Sequence, residues 1–177
     1  AFIDSLHGAD KTDKKKVNVN RPRKSPEAPS RERILYFPYM NDSGYVIAAA
    51  ARRCGVESRV LPMQDQQDLE IGRKYTSSRE CFQMICTTGS FIRKLMEPGV
   101  DPSKISFFMP DHNGPCRFGQ YNQFQRVIFD RLGYHDVEII TPSNDSSYEG
   151  ISGGHGVKFR LNAWRGFVAV DYLRKLL

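Results

Sequence analysis

The fold is decided by residues 33–63, which read RILYFPYMNDSGYVIAAAARRCGVESRVLPM. A short run of large apolar residues at 33–40 predicts a strand that is covered on both faces of a sheet. Polar residues at 41–45 supply capping groups for an alanine-rich helix at 46–55, which a glycine ends. The residues at 56–63 return to a strand pattern. The stretch therefore predicts a β-α-β unit, whose two strands are parallel.

The same alternation continues along the chain. It predicts a helix near 86–97, a strand at 105–110, a helix ending near 132 and a strand at 137–142. This order predicts an α/β fold: a small Rossmann-like open sheet of about four mainly parallel strands with helices on both faces. A proline stands at or near the carboxyl end of every strand, so the loops that follow gather at one edge. Open α/β sheets bind ligands at that edge.

Charge divides the chain into two parts. Residues 1–33 contain nine Lys or Arg and five Asp or Glu, which is +4 of the net charge of +6. They contain few large apolar residues, so we predict a flexible basic linker. Residues 34–177 are predicted to form one α/β domain with a single core. An amphipathic helix at 162–177 runs to the last residue without a stop signal, which indicates a fragment of a longer protein.

Several classes of protein are disfavoured by the composition. The basic linker lacks the interleaved aromatic residues that stack on bases, so no nucleic-acid partner is expected. A membrane span would need a run of about 18 apolar residues, and the sequence contains neither that run nor a signal-peptide pattern. We therefore expect a cytoplasmic protein without membrane contact. The four cysteines lack the spacing of a disulfide scaffold, which leaves reduced thiols or metal ligands.

Three cysteines are expected at the ligand-binding edge of the sheet. Cys116 follows the third predicted strand within NGPCRFGQY, and both Cys81 and Cys86 follow the second. A thiolate next to Arg117 and the free N–H groups of a helix start is stabilised as the anion. That environment suits a metal ligand or a nucleophile. Cys54, in the last turn of the first helix, is instead expected to be packed in the core.

Six segments resemble one protein family. They are FPYMNDSGY, GRKYTSSREC, TTGSF, NGPCRFGQYN, QRVIFDRLG and NAWRGFVAVDYL. In order and spacing they resemble the 2-hydroxyacyl-CoA dehydratases and the acyl-CoA dehydratase activase-related proteins, especially the dehydratase-like domain of the large activase-related proteins. The resemblance runs from about Ile34 to the C-terminus. It implies an iron–sulfur cluster such as [4Fe–4S], bound by cysteines on a Rossmann-like domain, that passes single electrons at low potential.

The resemblance also implies particular site residues. It assigns cluster ligands to Cys81 and Cys116. Relatives commonly read Cys-Tyr-Pro-Cys where this chain reads Cys-Phe-Gln-Met, so a cysteine is missing at Met84 and Cys86 is the candidate substitute. Ser43 is expected at the same edge, where it would contact the cluster or a CoA thioester, although helix capping explains it equally well.

The expected function is an iron–sulfur electron-transfer module. Arg117 and Ser43 are its candidate cofactor contacts, and the fragment alone is assigned no catalytic residue. The expected partners are an ATPase activase domain or component, the remainder of the parent chain and a second copy. The sequence has no G-x-x-x-x-G-K-[ST] phosphate loop of its own. The alternative is an interaction or regulatory domain of a large activase-related protein that binds no cofactor.

Overall fold

The computed structural model describes residues 32–77, 79–111, 114–142 and 148–176. One parallel sheet organises them, with the strand order β2-β1-β3-β4. The strands are β1 (Ile34–Phe37), β2 (Ser58–Val60), β3 (Ile105–Phe108) and β4 (Glu138–Ile140). The predicted fold class, a small open parallel α/β sheet, is confirmed.

The strand order identifies the ligand-binding end of this sheet. β1 pairs with β2 on one side and with β3 on the other, in register at Leu35↔Ser58 and Leu35↔Ser106. The connection after β2 therefore returns past β1, and the chain changes direction between β1 and β3. In open α/β sheets the crevice beyond the carboxyl ends of such strands binds ligands. That crevice lies next to Pro38 and Met109.

Helices cover both faces of the sheet, as predicted. On one face lie α1 (Asp42–Arg53), the short α5 (Glu149–Ser152) and the long α6 (Gly156–Leu176). Their core contains Phe37 and Phe108, whose ring centroids are 4.6 Å apart.

The other face carries α2 (Gln66–Tyr75), α3 (Phe82–Met96) and α4 (Tyr121–Arg131). Its core is built on Phe107, which is fully buried and stacks on Phe91 at a centroid distance of 4.2 Å. The two cores together fix the helices that begin at the carboxyl edge.

Several helix boundaries differ from the sequence expectation. α1 and α3 each begin four residues earlier than predicted, at Asp42 and Phe82. α6 begins at Gly156, six residues before the predicted start at residue 162. The helix α2 was not predicted at all. It begins with a reciprocal capping box in which Asp65 and Asp68 each accept a hydrogen bond from the other's backbone N–H.

Arg33, the last residue of the predicted linker, contacts the folded domain. Arg33 donates hydrogen bonds from Nη1 to the carbonyl oxygens of Ile105 at 3.2 Å and Asp136 at 2.7 Å. Its Nε also lies 3.4 Å from Oε1 of Glu138. Arg33 therefore ties the amino ends of β3 and β4 together. The rest of the predicted linker, residues 1–31, lies outside the described residues.

Candidate functional site

Cys81 and Cys116 each stand immediately before a helix. Cys81 is the N-cap residue of α3, and Cys116 is the N-cap residue of a 3-10 helix, Arg117–Gln120, that leads into α4. Neither cysteine side chain caps its helix, and neither first turn contains an acidic residue. The partial positive charge of the α3 start is therefore not compensated by a carboxylate.

Tyr121 connects the two cysteines. Its side chain is buried, and its pKa is raised to about 12, mainly by that burial and then by a hydrogen-bonding interaction with the Cys81 side chain. The charge of Cys116 adds a smaller contribution in the same direction. Both sulfurs therefore act on one phenolic hydroxyl. This hydroxyl stays protonated at neutral pH, so it is able to donate a hydrogen bond.

The two thiols differ in access to solvent. Cys116 is exposed, whereas Cys81 is partly buried and packs against the core between the sheet and α2, α3 and α4. Arg117, the residue after Cys116, is exposed as well. The site is therefore open on the Cys116 side and closed by protein on the Cys81 side. Tyr121 was not singled out by the sequence, although its position at the first residue of α4, five after Cys116, is a signal that could have found it.

Cys86 lies in a different environment. Five residues of α-helix rotate a side chain by about 500°, which places Cys86 roughly 140° around α3 from Cys81. Its thiol is buried, and its pKa is raised by that burial and by the carboxylate of Asp68, against a smaller opposite effect of Arg73. Asp68 and Arg73 both belong to α2. Cys86 therefore faces α2 as a neutral thiol, whereas Cys81 contacts Tyr121 of α4.

A cleft of about 460 Å³ opens beside Cys86. Its walls include Tyr39 from the loop after β1, Gln64 from the loop after β2, and Phe82 and Gln83 from the first turn of α3. Gln64 Nε2 donates a hydrogen bond to the Tyr39 carbonyl oxygen at 3.5 Å. The cleft thus lies at the carboxyl edge, and its walls combine two aromatic rings with amide groups.

An ion-pair cluster holds the helix that forms one wall of this cleft. Arg93 Nη1 of α3 lies 2.9 Å from Asp65 Oδ2 and 3.4 Å from Oδ1 of the buried Asp68. The hydrogen bond from Arg93 is the main cause that lowers the pKa of Asp65. These residues were not predicted, yet the D-x-x-D capping box in the sequence could have indicated them.

Ser43 lies at the same edge but is not the residue that caps α1. The N-cap position belongs to Asn41, which adopts φ of 58°, a left-handed conformation that asparagine tolerates. Ser43 is exposed in the first turn. Its neighbour Asp42 accepts a hydrogen bond from Arg174 Nε at 2.7 Å, which brings the C-terminal end of α6 to this edge. The capping explanation for Ser43 is therefore replaced by one in which Asn41 begins the helix.

The described residues provide two neighbouring thiols rather than a complete set of cluster ligands. Within residues 32–77, 79–111, 114–142 and 148–176, no group of three or more His, Cys, Asp or Glu side chains could hold a metal ion. Cys54 is buried on the opposite face, with α1 and α6, as expected for a core thiol. His112, a neighbour of Cys116 in sequence, lies outside the described residues. The role of Cys81 and Cys116 as ligands therefore stays a prediction.

Comparisons with protein families, with curated proteins and with solved structures found no significant match to this chain. Among the helices of the described residues, none is both long enough and apolar enough to cross a membrane.

Proposed function

We propose that the carboxyl edge of the sheet contributes Cys81 and Cys116 as two ligands of an iron–sulfur cluster, and that the domain is an electron-transfer module. The observation that supports this proposal is the position of both cysteines directly before helices at one edge, where both act on the buried Tyr121, whose pKa is raised to about 12 by burial, by Cys81 and, less, by the charge of Cys116. Iron–sulfur clusters are held by cysteine thiolates, and hydrogen bonds to sulfur tune their potential. Two cysteines at one edge, with the neutral phenol of Tyr121 next to Cys81, meet part of that requirement.

The remaining ligands would come from outside the described residues. A [4Fe–4S] cluster has four cysteine ligands in its usual form, and Cys86 faces away from the pair. Because Cys116 is exposed, a second copy or the remainder of the parent chain could supply the missing cluster ligands on that side. An ATPase activase component is the proposed electron donor, on the basis of the family resemblance. Four free cysteines are consistent with a reducing, cytoplasmic setting.

Iron content after anaerobic reconstitution with iron and sulfide tests this proposal. Wild-type protein should become brown and bind iron. A [4Fe–4S] cluster shared between two copies gives about two iron atoms per chain and a doubled mass, whereas one completed within a single chain gives about four. Cys81→Ser and Cys116→Ser should each lose most of that iron. Cys54→Ser is the matched control, since its thiol is buried on the other face of the sheet. Iron content that is equal in all four proteins would refute the proposal.

A domain that binds no cofactor and serves as an interaction module is the second candidate. One specific observation favours it: the outward face of α6 is apolar although it lies in solvent. The iron measurement separates the two functions, because an interaction module binds no iron in any of these variants.

A further inference from the structure

The helix α6 has two apolar faces. The inner face packs on α1: Phe159 and Ala163 are buried, and a methyl group added at Gly166 would lie 2.6 Å from Val46 Cγ1. The other apolar face points to solvent. A helix that is apolar on opposite sides is expected to be covered on both.

The outward face forms a regular stripe, which we call the α6 seam. It consists of Val157, Leu161, Trp164 and Val168, and these residues are between 41% and 74% exposed. Their spacing of four, three and four residues places them at alternating d and a positions of two heptads. The buried Phe159 falls at the f position, which lies opposite the seam. Such a narrow stripe is the pattern of a helix that packs against one other helix.

Three of the four positions that flank the α6 seam are basic, and the fourth is Phe167. Lys158 and Arg165 occupy e positions and Arg160 occupies a g position, and residues 156–170 contain no Asp or Glu. Among the salt bridges of the described residues, none involves Lys158, Arg160 or Arg165. Charges at e and g positions determine which helix pairs with which. A second copy would place cations against cations, and the net charge of +6 would add to that repulsion.

We propose that the α6 seam binds an acidic amphipathic helix of another polypeptide, with apolar residues at its a and d positions and Glu or Asp at its e and g positions. Trp164, 68% exposed at the centre of the seam, is the main apolar contact, since exposed tryptophans that become buried dominate many interfaces. Lys158, Arg160 and Arg165 select the partner by charge. Because α6 is already held by α1, its helix does not have to form on binding, which lowers the entropy cost.

The single tryptophan of the chain provides a direct assay. The probe is a synthetic helical peptide without Trp, with Leu at a and d and Glu at e and g; the matched peptide has Lys at e and g. The Glu peptide should shift Trp164 emission to the blue as the ring leaves water, and the Lys peptide should not. Binding should weaken between 0.15 M and 1 M salt, where the Debye length falls from about 8 Å to about 3 Å.

Charge reversal tests the selectivity. The triple variant Lys158→Glu, Arg160→Glu, Arg165→Glu should lose the response to the Glu peptide and gain one to the Lys peptide. A control variant with three reversals elsewhere, at the exposed Lys74, Lys104 and Arg131, changes the net charge by the same amount and should behave like wild type.

The triple variant retains every inner-face contact of α6, and far-UV circular dichroism checks its fold. Should it not fold, Leu161→Asn keeps Trp164 and all charges, and should weaken binding of the Glu peptide by removing an apolar seam contact.

Three results would overturn the proposal. A blue shift and a doubled mass on raising the concentration of wild-type protein alone would assign the α6 seam to a second copy. A shift with phosphatidylglycerol vesicles but not with the Glu peptide would assign it to an anionic lipid surface. An equal response to both peptides would rule out selection by charge, and a response to neither would rule out the α6 seam as the binding surface.

Discussion

Gly89→Ala should separate the two helices that form the Cys86 cleft. α2 and α3 cross in close contact, because a Cβ built on Gly89 would lie only 1.8 Å from the carbonyl oxygen of Asp68 and 2.8 Å from the backbone nitrogen of Gly72. Contacts of Cβ below 3.0 Å essentially never occur, so α2 must move by at least 1.2 Å. A backbone carbonyl cannot turn away by changing rotamer. The helix moves as a whole, or the fold loses this packing.

The cost can be estimated from three contributions. Overpacking a close contact costs about 1–3 kcal/mol, and a clash with backbone belongs at the upper end. Moving α2 also weakens the hydrogen bond from Arg93 to the buried Asp68, which adds about 1 kcal/mol. Alanine regains about 1 kcal/mol over glycine in helix propensity. The net loss in the free energy of unfolding is about 2–3 kcal/mol.

Urea and thermal unfolding measure this loss. For a chain of this size, 2–3 kcal/mol lowers the melting temperature by roughly 4–12 °C. Gly44→Ala in α1 is the matched control, because its added methyl would lie 3.3 Å from the Val60 side chain, which can adjust. That control should stay within about 1 kcal/mol of wild type. If Gly89→Ala proved as stable as Gly44→Ala, the close crossing of α2 and α3 would be wrong.

Three further predictions concern the core and the thiols. Phe107→Ala should lower the free energy of unfolding by about 3–5 kcal/mol in urea titration, since it removes the fully buried ring that stacks on Phe91. Because the pKa of Tyr121 is raised to about 12 in the fold, its contribution to stability is intact below about pH 10 and is lost as pH rises toward 12. Tyr121→Phe should therefore show a smaller drop in stability between about pH 10 and pH 12. Pulse alkylation with mass spectrometry should modify the exposed Cys116 first and the buried Cys86, with its raised pKa, last.

The sheet could be predicted because its two central strands, β1 and β3, are short and mostly apolar. In β3, Ile105–Phe108, all four residues are buried, which is the pattern of a strand between two helical layers. The strand order needed more than this local signal. The return of the chain past β1 to β3 depends on which helices share a face, and that is decided by packing around Phe107 and Phe108.

The helix α2 is difficult to predict from the sequence because of one residue in its interior. Gly72 in its interior argues against a helix by propensity, since glycine costs about 1 kcal/mol there relative to alanine. In the structure this position touches α3: a Cβ on Gly72 would lie 2.1 Å from the Ile85 carbonyl oxygen. The glycine is therefore required by a tertiary contact, which no local pattern reveals. The capping box at Asp65 and Asp68 was the better indicator.

The candidate site illustrates the same distinction between local and tertiary signals. That Cys81 and Cys116 lie at one edge follows from the parallel topology, because each precedes a helix that begins there. The position of Cys86 depends on where α3 begins. If the helix began near residue 86, Cys86 would be a mobile neighbour of Cys81; because it begins at Phe82, Cys86 is fixed on a helix face toward α2. One early helical turn thus changes a three-cysteine site into a pair of thiols beside Tyr121, and it leaves the third thiol in a separate cleft.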